Sequence, residues 1–260
     1  MNHRGIVVVL LVLLCMPGVL SVSVEPPLDD VFTWEKVNED GFGNADNIAL
    51  RGMAVFQESL VVGFDNLNFS YSLNTVIKES LQNRTFPSTH EIYRRLDSAG
   101  CEIWSFNGSS WMPRVADHPL ASMPPGFGNT NNLGVSELIV FNDFLYAGLW
   151  NHRQGCQIWR TSDLVHWEQV VDAGFQNPSN TAVWVAEVFN NWLYVGTMNF
   201  DQGLEVFRSQ DGLNWGSVVG GDALLGPGMG MGSMNYYAWS MAVYNGFLFL
   251  GTGNAHGCEL

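Results

Sequence analysis

The chain has 260 residues, 11 of them Lys or Arg and 25 Asp or Glu, for a formal net charge of −14, and its only lysines are Lys36 and Lys78. That balance excludes nucleic acid and anionic membrane surfaces as partners, because both are gripped by clustered basic side chains. Charged residues make up 14% of the chain, below the roughly 25% of an ordinary domain, and aromatics 13%, which points to an extracellular β protein.

In chain order, Met1–Arg4 is basic, Ile6–Leu14 is an unbroken apolar run, and Ser21-Val22-Ser23 offers small residues for cleavage. Residues 1–23 are therefore expected to be a secretory signal peptide, with the mature chain starting near Val24. The apolar run is too short to span a bilayer, and no later run reaches about 18 residues. The expectation is a protein without membrane insertion, secreted, extracellular or at the cell surface. Sequons stand at Asn68, Asn83 and Asn107.

Residues 24–260 repeat. The block Gly100-Cys-Glu-Ile-Trp104 returns at Gly155–Trp159, Gly203–Phe207 and Gly257–Leu260, with a Trp between copies at Trp34, Trp111, Trp167 and Trp215. Repeats of about 40–50 residues built of short strands are the mark of β-propeller blades. The expected fold is all-β, a β-propeller of four-stranded antiparallel blades with about four repeats present in an incomplete ring.

The second copy predicts strands at Leu138–Phe141, Leu145–Leu149, Gln157–Arg160 and Trp167–Val171, with a tight turn at Asn142-Asp143. Each second strand ends in a glycine (Gly63, Gly148, Gly196, Gly251) where backbones must come close. Trp34–Val37 reads as a fourth strand that opens the series. Cys101, Cys156 and Cys258 share one repeat position with Leu204, so all three are expected to be buried free thiols.

Between third and fourth strands, Ser209-Gln210-Asp211-Gly212-Leu213-Asn214-Trp215 resembles the Asp-box of sialidase-like, BNR-repeat propellers, and Thr161-Ser162-Asp163 with Trp167 is a degenerate copy. The resemblance implies a folding element on the rim, in which Ser and Asp oxygens hold the turn's own N–H groups. It also implies an enzyme family that grips a carboxylate with three arginines. Arg160 and Arg208 immediately precede these turns and read as rim residues, and the remaining arginines form no triad. No catalytic constellation, metal site or cofactor is identified.

Two asparagine columns recur: Asn47, Asn132, Asn180 and Asn235 before each first strand, and Asn66, Asn151, Asn199 and Asn254 after each second-strand glycine. Asn caps turns through its amide and its tolerance of left-handed backbone; alternatively, this face with its loops, including Asn151 and His152, is a binding surface. Insertions at 67–97 and 116–125 fall on the same face, and a short helix is expected from Asn74, with Val76, Ile77 and Leu81 as its apolar side. Four positions after the first Asn stand Arg51, Ser136, Trp184 and Trp239. Glu187 interrupts a column of Ala54, Ile139 and Ala242, and Trp184 and Trp239 either stack on a sugar face or pack between blades.

The functional expectation is a recognition module for a glycan, a surface polymer or a cell-surface protein partner, with Asn47, Arg51, Asn132, Asn151, His152, Asn180, Trp184, Glu187, Asn235 and Trp239 as candidate binding residues. The alternatives are a sialidase-like or other glycan-degrading hydrolase and a structural surface-layer module.

Overall fold

The computed structural model describes residues 34–68, 74, 75, 78, 82, 96–254 and 256–260. The expected signal peptide lies outside them, as do the sequon at Asn83 and the apolar side expected for the helix. Asn74, Thr75, Lys78 and Gln82 are helical and exposed. The chain divides into two compact units, Met1–Val37 and Asn38–Leu260.

Of the first unit, residues 34–37 are described; they form no strand, and Trp34 is 90% exposed. This corrects the expected opening strand.

The second unit is all-β: its described residues hold fourteen strands in one antiparallel sheet system. β1 (Asn47–Phe56), β2 (Ser59–Asn66), β3 (Glu102–Phe106) and β4 (Trp111–Val115) pair in sequence. So do β5 (Gly134–Phe141), β6 (Phe144–Trp150), β7 (Ile158–Thr161) and β8 (Trp167–Val171). The third run is β9 (Ala182–Phe189), β10 (Trp192–Met198), β11 (Val206–Ser209) and β12 (Gly216–Val219). β13 (Tyr237–Tyr244) and β14 (Phe247–Gly253) form a hairpin.

Each first and second strand meet at a two-residue turn with both residues at positive φ: Gln57-Glu58, Asn142-Asp143, Asn190-Asn191 and Asn245-Gly246. That is the type I′ geometry whose twist matches the flanking strands. The predicted second-repeat strands agree closely except that β5 starts at Gly134 rather than Leu138. The reason is local. Val135 and Leu138 are both buried, an odd spacing that breaks the alternation of a regular strand, because one residue between them bulges.

The core lies between successive repeats. Val61, Cys101, Ile103 and Val115 of the first pack with Val135, Leu138, Leu145 and Leu149 of the second. Second-strand glycines make this approach possible: a Cβ on Gly63 would overlap Val135, on Gly148 Val183, and on Gly196 Ala238. Cys101 and Cys156 are buried free thiols, as expected, and burial pushes both thiol pKa values up. Cys258 is exposed, contrary to expectation. Its siblings are covered by the lead-in segment of the following repeat, and no described residue covers Cys258 in that way.

The third-to-fourth turns hold themselves. Ser209 Oγ accepts from Gly212 N–H at 2.8 Å, and Asp211 Oδ1 accepts from Leu213 and Asn214 N–H, each at 2.8 Å. Thr161 and Asp163 do the same for Leu164, Val165 and His166. The His166 ring against Asp163 Oδ2, then the turn N–H groups, hold the Asp163 carboxyl well below the usual range, and the Asn214 N–H and side-chain amide with the Leu213 N–H do so for Asp211. The aromatic block is built alongside. Phe127 stacks on Trp159 (4.5 Å between centroids) and meets Trp167 edge-on, and Phe175 does so with Phe207 and Trp215.

Candidate functional site

The two asparagine columns meet as four hydrogen-bonded pairs. Asn66 Nδ2 donates to Asn47 Oδ1 and Asn151 to Asn132 at 2.9 Å, Asn199 to Asn180 at 2.9 Å, and Asn254 to Asn235 at 2.8 Å. The first Asn of each pair donates in turn to the side chain that follows the repeated Cys or Leu: Glu102, Gln157, Glu205 and Glu259. It also donates to a carbonyl of its own lead-in turn, for example Asn132 to Gly126 O at 2.9 Å. The second Asn accepts from its loop, as Asn199 Oδ1 does from Asp201 and Gln202 N–H. Asn47, Asn132, Asn151, Asn180 and Asn235 are buried, so their amides are engaged in the framework. His152 is buried too, and its Nε2 accepts from Trp150 Nε1–H.

That framework positions a second feature. All four first strands carry a β-bulge at the same repeat position, four residues after the Asn. The register skips Arg51 in β1, Ser136 in β5, Trp184 in β9 and Trp239 in β13. A bulge leaves its residue outside the ladder and re-aims the side chain. Here it brings distant residues together. The Arg51 guanidinium lies 3.7 Å over the Trp184 ring, and Trp184 and Trp239 lie 6.0 Å apart with Tyr237 against both, at 4.8 and 5.2 Å. Trp239 is 56% exposed, so this aromatic wall is open to solvent.

Acids border it. Asp65, on β2, has Oδ2 4.0 Å from Arg51 Nη1, an ion pair too long for a hydrogen bond, and its buried Oδ1 has no hydrogen-bond partner. Burial pushes the Asp65 carboxyl up to about 7 against the pull of Arg51. Glu137, beside the bulge in β5, is likewise pushed up to about 7 by burial, opposed by the N–H groups of Ala186 and Leu138 and by Arg51, while the charge of Glu187 raises it further. Glu187 Oε1 accepts from Val188 N–H at 3.1 Å. Ser136 Oγ is a second buried atom without a partner. Buried polar atoms without a hydrogen-bond partner are uncommon; Asp65 Oδ1 on β2 and Ser136 Oγ in the β5 bulge are two of them.

Of the expected residues, Arg51, Trp184, Glu187 and Trp239 converge, while the asparagines and His152 sit beneath them. Asp65, Glu137 and Tyr237 were missed. Reading the repeat columns further would have found the acids: Asp65 stands where Trp150, Met198 and Gly253 stand, and Glu137 where Gly52, Val185 and Ser240 stand. The base of the inserted segment reaches the same place, because Leu67 and Leu96 are buried with Trp150 and Met198 in the cluster against which Trp184 packs. Among the described residues, no group of three or more His, Cys, Asp or Glu could hold a metal ion.

No family model and no curated protein matches the chain. Solved structures with a similar course of strands include a family 32 β-fructofuranosidase of Bombyx mori (13% identity, TM-score 0.39, covering 78% of this chain and 40% of that one). Others are a glycosyl hydrolase of Bacteroides ovatus (10%, 0.44, 78% and 59%) and a family 117 glycoside hydrolase of Zobellia galactanivorans (11%, 0.41, 85% and 71%). The chain thus spans well under two thirds of the first two. At these values the chemistry of the chain has to be read from its own side chains.

Proposed function

We propose that this chain is part of an exported β-propeller whose repeats are four-stranded blades in an open ring, whose Ser209–Trp215 and Thr161–Trp167 turns are Asp-boxes, and whose role is to recognise a glycan at the bulged ends of the first strands. One observation carries the reading: four equivalent bulges turn Arg51, Ser136, Trp184 and Trp239 out of their ladders, and three of them meet, Arg51 stacked on Trp184 and Trp184 against Trp239, beside Asp65. An aromatic wall suits the apolar face of a sugar ring, and Arg with carboxyls suits its hydroxyls. Insertions 67–97 and 116–125 would then border the binding face.

The test is a glycan array followed by calorimetry on the best hit. Trp239→Ala, a change at a half-exposed side chain, should weaken binding on the order of tenfold, about 1.4 kcal/mol, with an unchanged melting temperature. Unaltered affinity in both Trp239→Ala and Arg51→Ala would remove the site from this place.

A second reading, glycan hydrolysis, is favoured by the two carboxyls raised to about 7. A carboxyl still protonated near neutrality can donate its proton to a leaving oxygen. Turnover of an aryl glycoside that disappears in Asp65→Asn or Glu137→Gln, with binding retained, would select this reading over recognition alone.

A further inference from the structure

The third-to-fourth turn of the first repeat is held as its siblings are, with an amide in place of the carboxylate. Asn107 Oδ1 accepts from Ser109 and Ser110 N–H, at 3.0 and 2.9 Å. Asp163 Oδ1 does the same for Val165 and His166, and Asp211 Oδ1 for Leu213 and Asn214. Ser109 Oγ donates to the same oxygen of Asn107 at 2.9 Å, and Gly108 supplies the positive φ, 94°, that closes the turn. All of these bonds use Oδ1, which leaves the amide nitrogen outside the turn's own bonding. Asn107 Nδ2 takes the place of the second oxygen of Asp163 and Asp211, which meet the His166 ring and the Asn214 amide.

This column faces solvent in all three repeats. Asp163 and Asp211 are exposed even though the preceding repeat reaches their turns, Gln57 Nε2 donating to Ser162 O and Asn142 Nδ2 to Gln210 O. Asn107 through Ser110 are exposed likewise. Asn107-Gly108-Ser109 is also one of the three sequons, an Asn with a hydroxyl residue two places on and no proline between. The sequon at Asn68 is placed differently: its Asn is half-buried, and the N–H donates to Asp97 O in the stem of the inserted segment.

We propose, resting on the export reading above, that Asn107 is the acceptor of an N-linked glycan. The donor class is an oligosaccharide carried on a lipid diphosphate. Transfer forms the bond from Asn107 Nδ2 to C1 of the first sugar and breaks the C1–O bond to the diphosphate, which leaves with the electron pair; the amide nitrogen gives up one proton. The substituted amide keeps Oδ1, so every bond of the turn survives and the fold accommodates the glycan. Its position also separates it from the bulges. Phe106 pairs with Leu60 beside the Gln57-Glu58 turn, whereas Glu102 pairs with Phe64 toward Asn66. The glycan therefore sits at the strand ends opposite the asparagine pairs, and leaves Arg51 and Trp184 uncovered.

The experiment expresses the full chain in cultured animal cells, once with its own residues 1–23 and once with a leader that the cells process. Protein from cells and medium together is treated with a peptide N-glycosidase in water labelled with heavy oxygen, and the peptide holding residue 107 is weighed. Behind the cells' leader, Asn107 should take up the label only after the enzyme. Asn107→Gln and Ser109→Ala should each lose it, while Asn107→Asp, which restores the residue of the sibling turns, should fold with an unchanged melting temperature. An unlabelled residue 107 behind that leader overturns the proposal. So does label that appears without the enzyme, which is deamidation at Asn-Gly, or label that survives in Ser109→Ala. Label obtained with the cells' leader but not with the chain's own upholds the acceptor and counts against the export reading alone.

Discussion

A Cβ on Gly134 would overlap Asp65 Oδ1: the carboxyl oxygen that lacks a hydrogen-bond partner occupies the space that a side chain on the neighbouring strand would fill. Gly134 starts β5, and its only cross-repeat ladder partner is Asp65 itself. Gly134→Ala should therefore expel the carboxylate, weakening glycan binding as Asp65→Ala does and costing about 1–3 kcal/mol, the usual toll of overpacking. The double variant Gly134→Ala/Asp65→Ala should regain stability without regaining binding. Urea titrations read the first effect and calorimetry the second; additive stability losses would contradict the overlap.

The raised carboxyls predict how stability depends on pH. Unfolded, Asp65 and Glu137 titrate near about 4; folded, both are pushed up to about 7. Between these values the folded protein holds more protons than the unfolded one, so stability falls as pH rises through this window and levels off above it. Asp163 and Asp211 act the other way: held low by their turns, they contribute above the unfolded value and lose that contribution as pH falls below it. Melting temperature should thus peak in mildly acid buffer, and Asp65→Asn should flatten its decline toward pH 8. A wild-type melting temperature that climbs steadily from pH 5 to pH 8 would contradict this.

Asn180 is buried with its Nδ2 donating to Gly174 O and Glu205 and its Oδ1 accepting from Asn199 and Thr197. Asn180→Ala orphans several of these groups at once, and each unsatisfied buried partner costs about 1–3 kcal/mol. Chemical denaturation should show a loss on the order of half the stability of an ordinary domain, about 5–15 kcal/mol in total. Asn180→Asp should be worse at pH 8 than at pH 5, because it sets a second carboxylate against Glu205.

The inserted segment should be removable, though not from its outermost residues. Leu67 and Leu96 are buried, and Asn68 N–H donates to Asp97 O at 2.9 Å, closing the stem. Replacing residues 69–95 by a short turn should leave the melting temperature within a few degrees, since closure entropy changes by only about 0.6 kcal/mol per doubling of loop length. Extending the deletion to Leu67 and Leu96 should lower it markedly, because Trp184 packs on the cluster they join.

Much of the strand series was legible in the sequence because each repeat states it again: β8 matches its expected bounds, and the four second-strand glycines, three of which admit the next strand, stand out as a column. The bulges were not legible. Val135-Ser136-Glu137-Leu138 reads as a broken alternation, and only the ladder shows that Ser136 is skipped rather than the strand beginning later. The asparagines were found as columns, but the pairing that buries them needs the 19-residue offset to be closed in space. Arg51, Trp184 and Trp239 were found by their common offset of four from the first Asn, and Glu187 as the departure from its column; Asp65 stands among Trp150, Met198 and Gly253, a column that was not read.

Because each repeat turns one side chain out of its ladder through the bulge while the asparagine pairs beneath are held in common, the shared framework and the variable position are encoded at separate addresses. Codons 51, 136, 184 and 239 can change without removing a ladder bond, so under the proposed reading a new ligand preference could arise there by single substitutions.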